Sequence, residues 1–134
     1  MVSSDQAVTD SGLDLEKIDK TRVGVIFSAG IGGLQSMFEE MIGYVEGGYI
    51  PRFSPFFIPK MIADIAAGHI SMKYGFQGPN FCTVSACASS NHGMIVAADQ
   101  LRLGRADIIL AGGAAASVNP PGVGGCHSMQ SLST

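Results

Sequence analysis

Three short apolar runs, residues 22–27, 79–86 and 107–112, punctuate this chain, and each is separated from the next by a stretch with helical periodicity. In 22–27 and 107–112 the apolar residues follow one another without polar alternation, as in strands buried on both faces, which are characteristic of parallel sheets. Crossovers of this length carry helices that cover such a sheet. The pattern therefore predicts an α/β layer with a mixed or parallel sheet. Residues 5–12 read as the end of a helix stopped near Gly12, and 14–21 as a polar connection. After the first strand, Gly30-Ile31-Gly32-Gly33 turns into a helix through Leu34, Met37, Phe38, Met41, Ile42 and Val45. A second amphipathic helix is predicted over 60–74, with Met61, Ile62, Ile65, Ile70 and Met72 as its apolar positions, and a third over 87–103, with Met94, Ile95, Ala97, Ala98 and Leu101. Between them, 47–59 reads as a loop because Pro51, Pro55 and Pro59 oppose regular structure, and 112–125 as an irregular, glycine-rich loop around a site.

At 134 residues and 46% hydrophobic content the chain can furnish the core of one domain. Only 14% of residues are charged, against about 25% in a typical soluble domain, so part of its surface is expected to lie against other protein. A net charge of −3 without any cluster of Lys or Arg disfavours nucleic acid as a partner. The sequence has no run of 18 apolar residues and no basic-then-apolar start, so neither a membrane span nor a secretory signal is expected and the cytoplasm is the expected location. Three cysteines fit a reducing compartment better than a disulfide framework. The spacing of Cys82, Cys87 and His92 lacks the short-loop geometry of zinc sites, and no metal is expected. The strand, glycine turn and helix around Gly30 do not complete a dinucleotide fingerprint, since Gln35 stands where its third glycine belongs.

The most informative stretch is Thr83-Val84-Ser85-Ala86-Cys87-Ala88-Ser89-Ser90, in which a strand-like run ends in a cysteine that opens a helical pattern. Unpaired N–H groups and the positive end of a helix dipole favour negative charge on a thiol so placed. Two readings are open at this point: Cys87 as a nucleophile, and Cys87 as the small buried hydrophobe that most free cysteines are. His69 lies well before Cys87 and His92 five residues after it. Neither is well placed as its base, and both read as packing or surface residues. His127 belongs to the glycine-rich loop.

The Cys87 segment, together with 103–114 (Leu-Gly-Arg-Ala-Asp-Ile-Ile-Leu-Ala-Gly-Gly-Ala), resembles the active-site block of the β-ketoacyl-acyl-carrier-protein synthases. Ser28-Ala29-Gly30-Ile31-Gly32-Gly33, Ser54-Pro55-Phe56-Phe57-Ile58-Pro59, and Gly122-Val123-Gly124-Gly125 through Leu132-Ser133-Thr134 are similar to runs of the elongation branch and occur in the family's order. The resemblance implies a partial thiolase-like layered fold, most of the first half of a longer enzyme without its opening strand, and an acyltransferase that holds an acyl group on Cys87 and condenses it with malonyl-acyl-carrier protein. It implies that Ile31 lines the acyl pocket, that Phe57 and Ile58 form its floor near a partner subunit, and that Cys126 stands near its mouth, where the family commonly has a bulky aromatic. Gln130 occupies a position that is arginine in some members. No cofactor is implied beyond the phosphopantetheine of the acyl-carrier protein, which would be a partner together with a second copy of the complete chain, the strand 80–85 lying near the two-fold axis. The family's catalytic histidines and lysine have no counterpart here, so the 134 residues alone are expected to be inactive. A polyketide ketosynthase, a thiolase-type enzyme and a non-catalytic chain-length partner are the alternatives.

Overall fold

The computed structural model describes residues 1–133, which group into two units: 1–30 with 63–114, and 31–62 with the residues from 115 onward. The first unit contains α1 (Val2–Asp10), β1 (Val23–Ser28), α4 (Ile65–Tyr74), β2 (Asn80–Phe81), α5 (Ser89–Arg102) and β3 (Ile108–Gly113). The second contains α2 (Leu34–Glu46), α3 (Phe57–Met61) and α6 (Pro120–Ser128).

In the first unit a parallel sheet of order β2-β1-β3 is built around β1, all six of whose residues are buried. Because strand side chains alternate between faces, Val23, Val25 and Phe27 join Ala67 and Ile70 of α4 and Phe76 in one core cluster. Ser28, from the other set, meets Gly93 of α5. The register pairs Val23 with Ile108 and Ser28 with Gly113 along the full length of β3. Burial on both faces holds for β1 only; β3 is half-buried, with Ala111 and Gly113 exposed. At the base of the sheet Arg22 donates from Nε and Nη2 to both carboxylate oxygens of Asp107, and from Nη2 to the Gly104 carbonyl. This pins the start of β1 to the turn that leads from α5 into β3.

Several elements differ from the sequence expectation, each for a local reason. The strand expected over 79–86 pairs only at Asn80 and Phe81. Beyond them side-chain hydroxyls take the place of the ladder: Ser28 Oγ and Thr83 Oγ1 are 2.6 Å apart, and Ser89 Oγ accepts the Ser85 N–H at 2.9 Å. The helix expected from Cys87 starts at Ser89, after a 3-10 turn over Ala86–Ala88. The helix expected over 60–74 is two helices, since Ile62 is extended (ψ 141°).

Pro59 does not exclude a helix, because it falls in the first turn of α3, where backbone N–H groups have no intrahelical acceptor to lose. The region expected to be an irregular loop contains α6, signalled by a sequence feature that glycine content masks. Asn119 is its N-cap and accepts the Gly122 N–H at 2.9 Å, while Pro120 and Pro121 open the helix with φ already set. Within the second unit α2 packs on α3 and α6. Gly33 donates its N–H to Met61 O at 2.9 Å, and a Cβ there would lie within 2.0 Å of Lys60 O, so only glycine permits this approach.

Candidate active site

Cys87 occupies the middle of the 3-10 turn between β2 and α5, with its side chain exposed, whereas Cys82 and Cys126 are half-buried. Among the described residues this thiol is not buried, unlike the small core hydrophobe that most free cysteines are. The preceding residue, Ala86, has φ +50°, a left-handed conformation that costs a non-glycine residue about 1–2 kcal/mol. Strain of this kind persists only where the surroundings over-determine it.

Those surroundings are a chain of side-chain hydrogen bonds. Thr83 donates its hydroxyl to Ser89 O at 3.0 Å and, having a single proton, must accept from Ser28 at its other contact. Ser89 Oγ accepts from Ser85 N and donates to the Ala86 carbonyl at 2.7 Å. Ala88 N–H bonds Ser85 O at 3.1 Å, closing the turn. Below it Gly30 lets the end of the β1 loop approach, since a Cβ at Gly30 would be 2.9 Å from Ala86 O. His92, one turn into α5, places Nδ1 at 2.6 Å from Ser85 Oγ.

The seating of α5 explains how the turn is presented. Its buried residues are Ser89, Gly93 and Ala97, four apart, so a stripe of small residues faces the sheet. The large apolar residues Met94, Ile95 and Leu101, expected to mark the buried face, are exposed. A Cβ at Gly93 would come within 2.4 Å of Ser28 Oγ, and one at Gly113 of β3 within 2.1 Å of Ser90 Oγ. The sequence motifs contain Ser28, Thr83, Ser85 and Ser89 without giving any of them a role, and Gly93 did not stand out. The recurrence of Ser89, Gly93 and Ala97 at helical spacing was the available signal.

The remaining candidates lie in the second unit. Ile31 is exposed in the glycine turn, Phe57 and Ile58 open α3, and Cys126 is half-buried in α6. Phe57 stacks on Phe53 with ring centroids 5.5 Å apart, and Phe53 meets Tyr44 at 5.6 Å. The Gly33 contact brings the glycine turn of Ile31 against the C-terminal end of the helix that carries Phe57 and Ile58. His69 and His92 are both exposed, and His92 belongs to the hydrogen-bond chain of the Cys87 turn rather than to plain surface.

The family model described as "Beta-ketoacyl synthase, N-terminal domain" matches residues 1–134. The chain belongs to the β-ketoacyl synthase family. Among its curated relatives, the mitochondrial 3-oxoacyl-[acyl-carrier-protein] synthase of Arabidopsis thaliana is 40% identical over 133 residues, 98% of this chain and 29% of that protein. The 3-oxoacyl-[acyl-carrier-protein] synthase 2 of Coxiella burnetii is 38% identical over 135 residues, 100% of this chain and 32% of that protein. This chain thus spans about a third of the length of the relatives it matches. Among solved structures, one of a type II PKS acyl-carrier protein in complex with its ketosynthase bound to the hexaketide superposes with a TM-score of 0.89. It shares 26% identity and covers 96% of this chain and 33% of that one. A β-ketoacyl synthase from Burkholderia phymatum superposes at 0.81 over 97% of this chain and 32% of its own, with 24% identity. The fold is the thiolase-like α/β fold of the ketosynthases, as the sequence motifs implied.

Proposed function

We propose that the full-length protein is a 3-oxoacyl-acyl-carrier-protein synthase of fatty-acid elongation, with Cys87 as its nucleophile. The observation that carries this reading is the exposed Cys87 thiol behind the strained Ala86, on a turn over-determined by hydroxyl hydrogen bonds. The Cys87 sulfur attacks the carbonyl of an acyl thioester on the carrier's phosphopantetheine. The tetrahedral oxyanion collapses, the carrier thiol leaves with a proton, and the acyl group stays on Cys87. Decarboxylation of a malonyl thioester then releases CO2 and supplies a carbanion, which attacks the acyl carbonyl, forms the β-ketoacyl thioester on the carrier and frees the Cys87 thiolate. The Cys87 N–H, in the opening turn where backbone donors lack a partner within the helix, is a preorganised donor for the oxyanion in both steps.

In this reading Ile31, Phe57, Ile58 and Cys126 line the acyl pocket, and their apolar character suits a fatty chain. The acyl-carrier protein is the partner that delivers substrate, and the active form is a cytoplasmic homodimer. Phe53, Phe56, Ile58 and Ile62 are exposed on the second unit, an apolar surface that a second subunit would cover. A polyketide substrate is the second reading, favoured by the ketosynthase complex among the structural neighbours. The 38–40% identity to 3-oxoacyl-acyl-carrier-protein synthases supports the fatty-acid reading over it.

Incubation of full-length protein with a saturated acyl-carrier thioester, followed by peptide mass spectrometry, should place the acyl group on Cys87, and added malonyl-carrier protein should convert it to a β-ketoacyl product. Adduct formation that survives Cys87→Ala would refute the assignment. Acylation by polyketide thioesters alone would move the substrate class, and a monomeric sedimentation profile at micromolar concentration would remove the dimer.

A further inference from the structure

We propose that His92 is a positioning residue that holds the Ser85 hydroxyl away from the Cys87 amide, leaving that N–H open for the oxyanion; this deepens the proposed function and rests on it. Ser85 is the N-cap of the turn Ala86–Ala88. A serine in that place ordinarily accepts a hydrogen bond from the second or third N–H of the turn it caps, which here belong to Cys87 and Ala88. Among the described residues the Ser85 side chain caps neither. The Ala88 N–H is taken by the Ser85 carbonyl at 3.1 Å, so Cys87 carries the donor that a free Ser85 hydroxyl would capture. Instead Ser85 Oγ sits 2.6 Å from His92 Nδ1.

The rest of Ser85 is fixed independently of His92. Its N–H is held by Ser89 Oγ at 2.9 Å, and its backbone stands at φ −152°, ψ 49°. Rotation about the Ser85 Cα–Cβ bond is therefore the freedom that His92 removes. His92 is exposed, three residues past the buried Ser89 on α5, so among the described residues its ring serves no core. Without it, the hydroxyl turns to the Cys87 N–H, and every acyl transfer must first break that bond.

The test uses full-length protein and measures single-turnover acylation of Cys87 from an acyl-carrier thioester. His92→Ala is expected to slow acylation by about tenfold or more, within the range seen when an oxyanion donor is lost, with KM for the carrier unchanged. His92→Asn, whose amide stands where Nδ1 does, should keep the rate within about twofold of wild type, while His92→Gln, which reaches to the Nε2 position, should behave as His92→Ala. The deciding arm is the double variant Ser85→Ala/His92→Ala. Removing the competing hydroxyl should restore the rate lost in His92→Ala, whereas a merely structural anchor would leave the double variant as slow or slower. Amide hydrogen exchange in a peptide covering 83–90 gives a readout independent of turnover, with slower exchange expected in His92→Ala. Wild-type rates in His92→Ala, no recovery in the double variant, or unchanged exchange each overturn the inference. Wild-type protein that acylates no residue overturns the proposed function instead, and the exchange measurement then still decides the hydrogen bond.

Discussion

Replacing Gly93 by Ala tests how closely α5 must approach the sheet. On an exposed helix the change would stabilise by about 1 kcal/mol, because alanine is the better helix former. Here the added methyl would lie 2.4 Å from Ser28 Oγ and 3.3 Å from Thr83 Oγ1. Ser28 is fully buried and donates to Thr83, so its hydroxyl can move only by giving up that bond at a position closed to solvent. Overpacking costs about 1–3 kcal/mol, and an orphaned buried hydroxyl about 1–3 kcal/mol more. Set against the helix gain, the net is a destabilisation of about 3 kcal/mol. Urea unfolding of the full-length protein should show it as a lowered midpoint with unchanged slope. The double variant Ser28→Ala/Gly93→Ala should recover more than about 1 kcal/mol of the loss, because Ser28 Cβ, at 3.6 Å, is in ordinary contact with the new methyl. A Gly93→Ala protein as stable as wild type, or additive behaviour in the double variant, would refute the argument.

Limiting alkylation of the folded protein should label Cys87 ahead of Cys82 and Cys126, because only Cys87 is exposed; peptide mass spectrometry reads the order. Gly30→Ala should slow Cys87 acylation in the single-turnover assay by about tenfold or more, since its methyl meets the Ala86 carbonyl at 2.9 Å and displaces the turn. The Asp5 carboxylate is held below its ordinary pKa by hydrogen bonds from Lys73 first and Tyr74 second. A folded-state value below the unfolded one stabilises above about pH 4 and is lost as the pH falls further, so Asp5→Asn should flatten the decline of the unfolding midpoint below that pH.

The layered α/β class was determined by the sequence itself, because three apolar runs divided by helical patterns leave few other ways to bury strands. Cys87 was legible as a candidate for the same reason: a thiol between a strand-like run and a helical pattern, inside a block of motifs, stands out in one dimension. The extent of β2 did not stand out. Residues 82–86 are composed like a strand, and only the partners reached across the fold, Ser28 to Thr83 and Ser89 to Ser85, draw them off the ladder. Periodicity also misjudged α5. It marks the large apolar residues as buried, but this helix packs by its small ones, because Gly93 against Ser28 and Ser90 against Gly113 set how near the backbone comes. α6 was hidden by its glycines, although Asn119 and the two prolines after it carried a helix start. The contact between Ser85 and His92 was decided by tertiary structure alone. Seven residues apart, they meet only because the Ala86 turn folds the chain back on the first turn of α5, and a hydrogen bond of that kind leaves no period in a sequence.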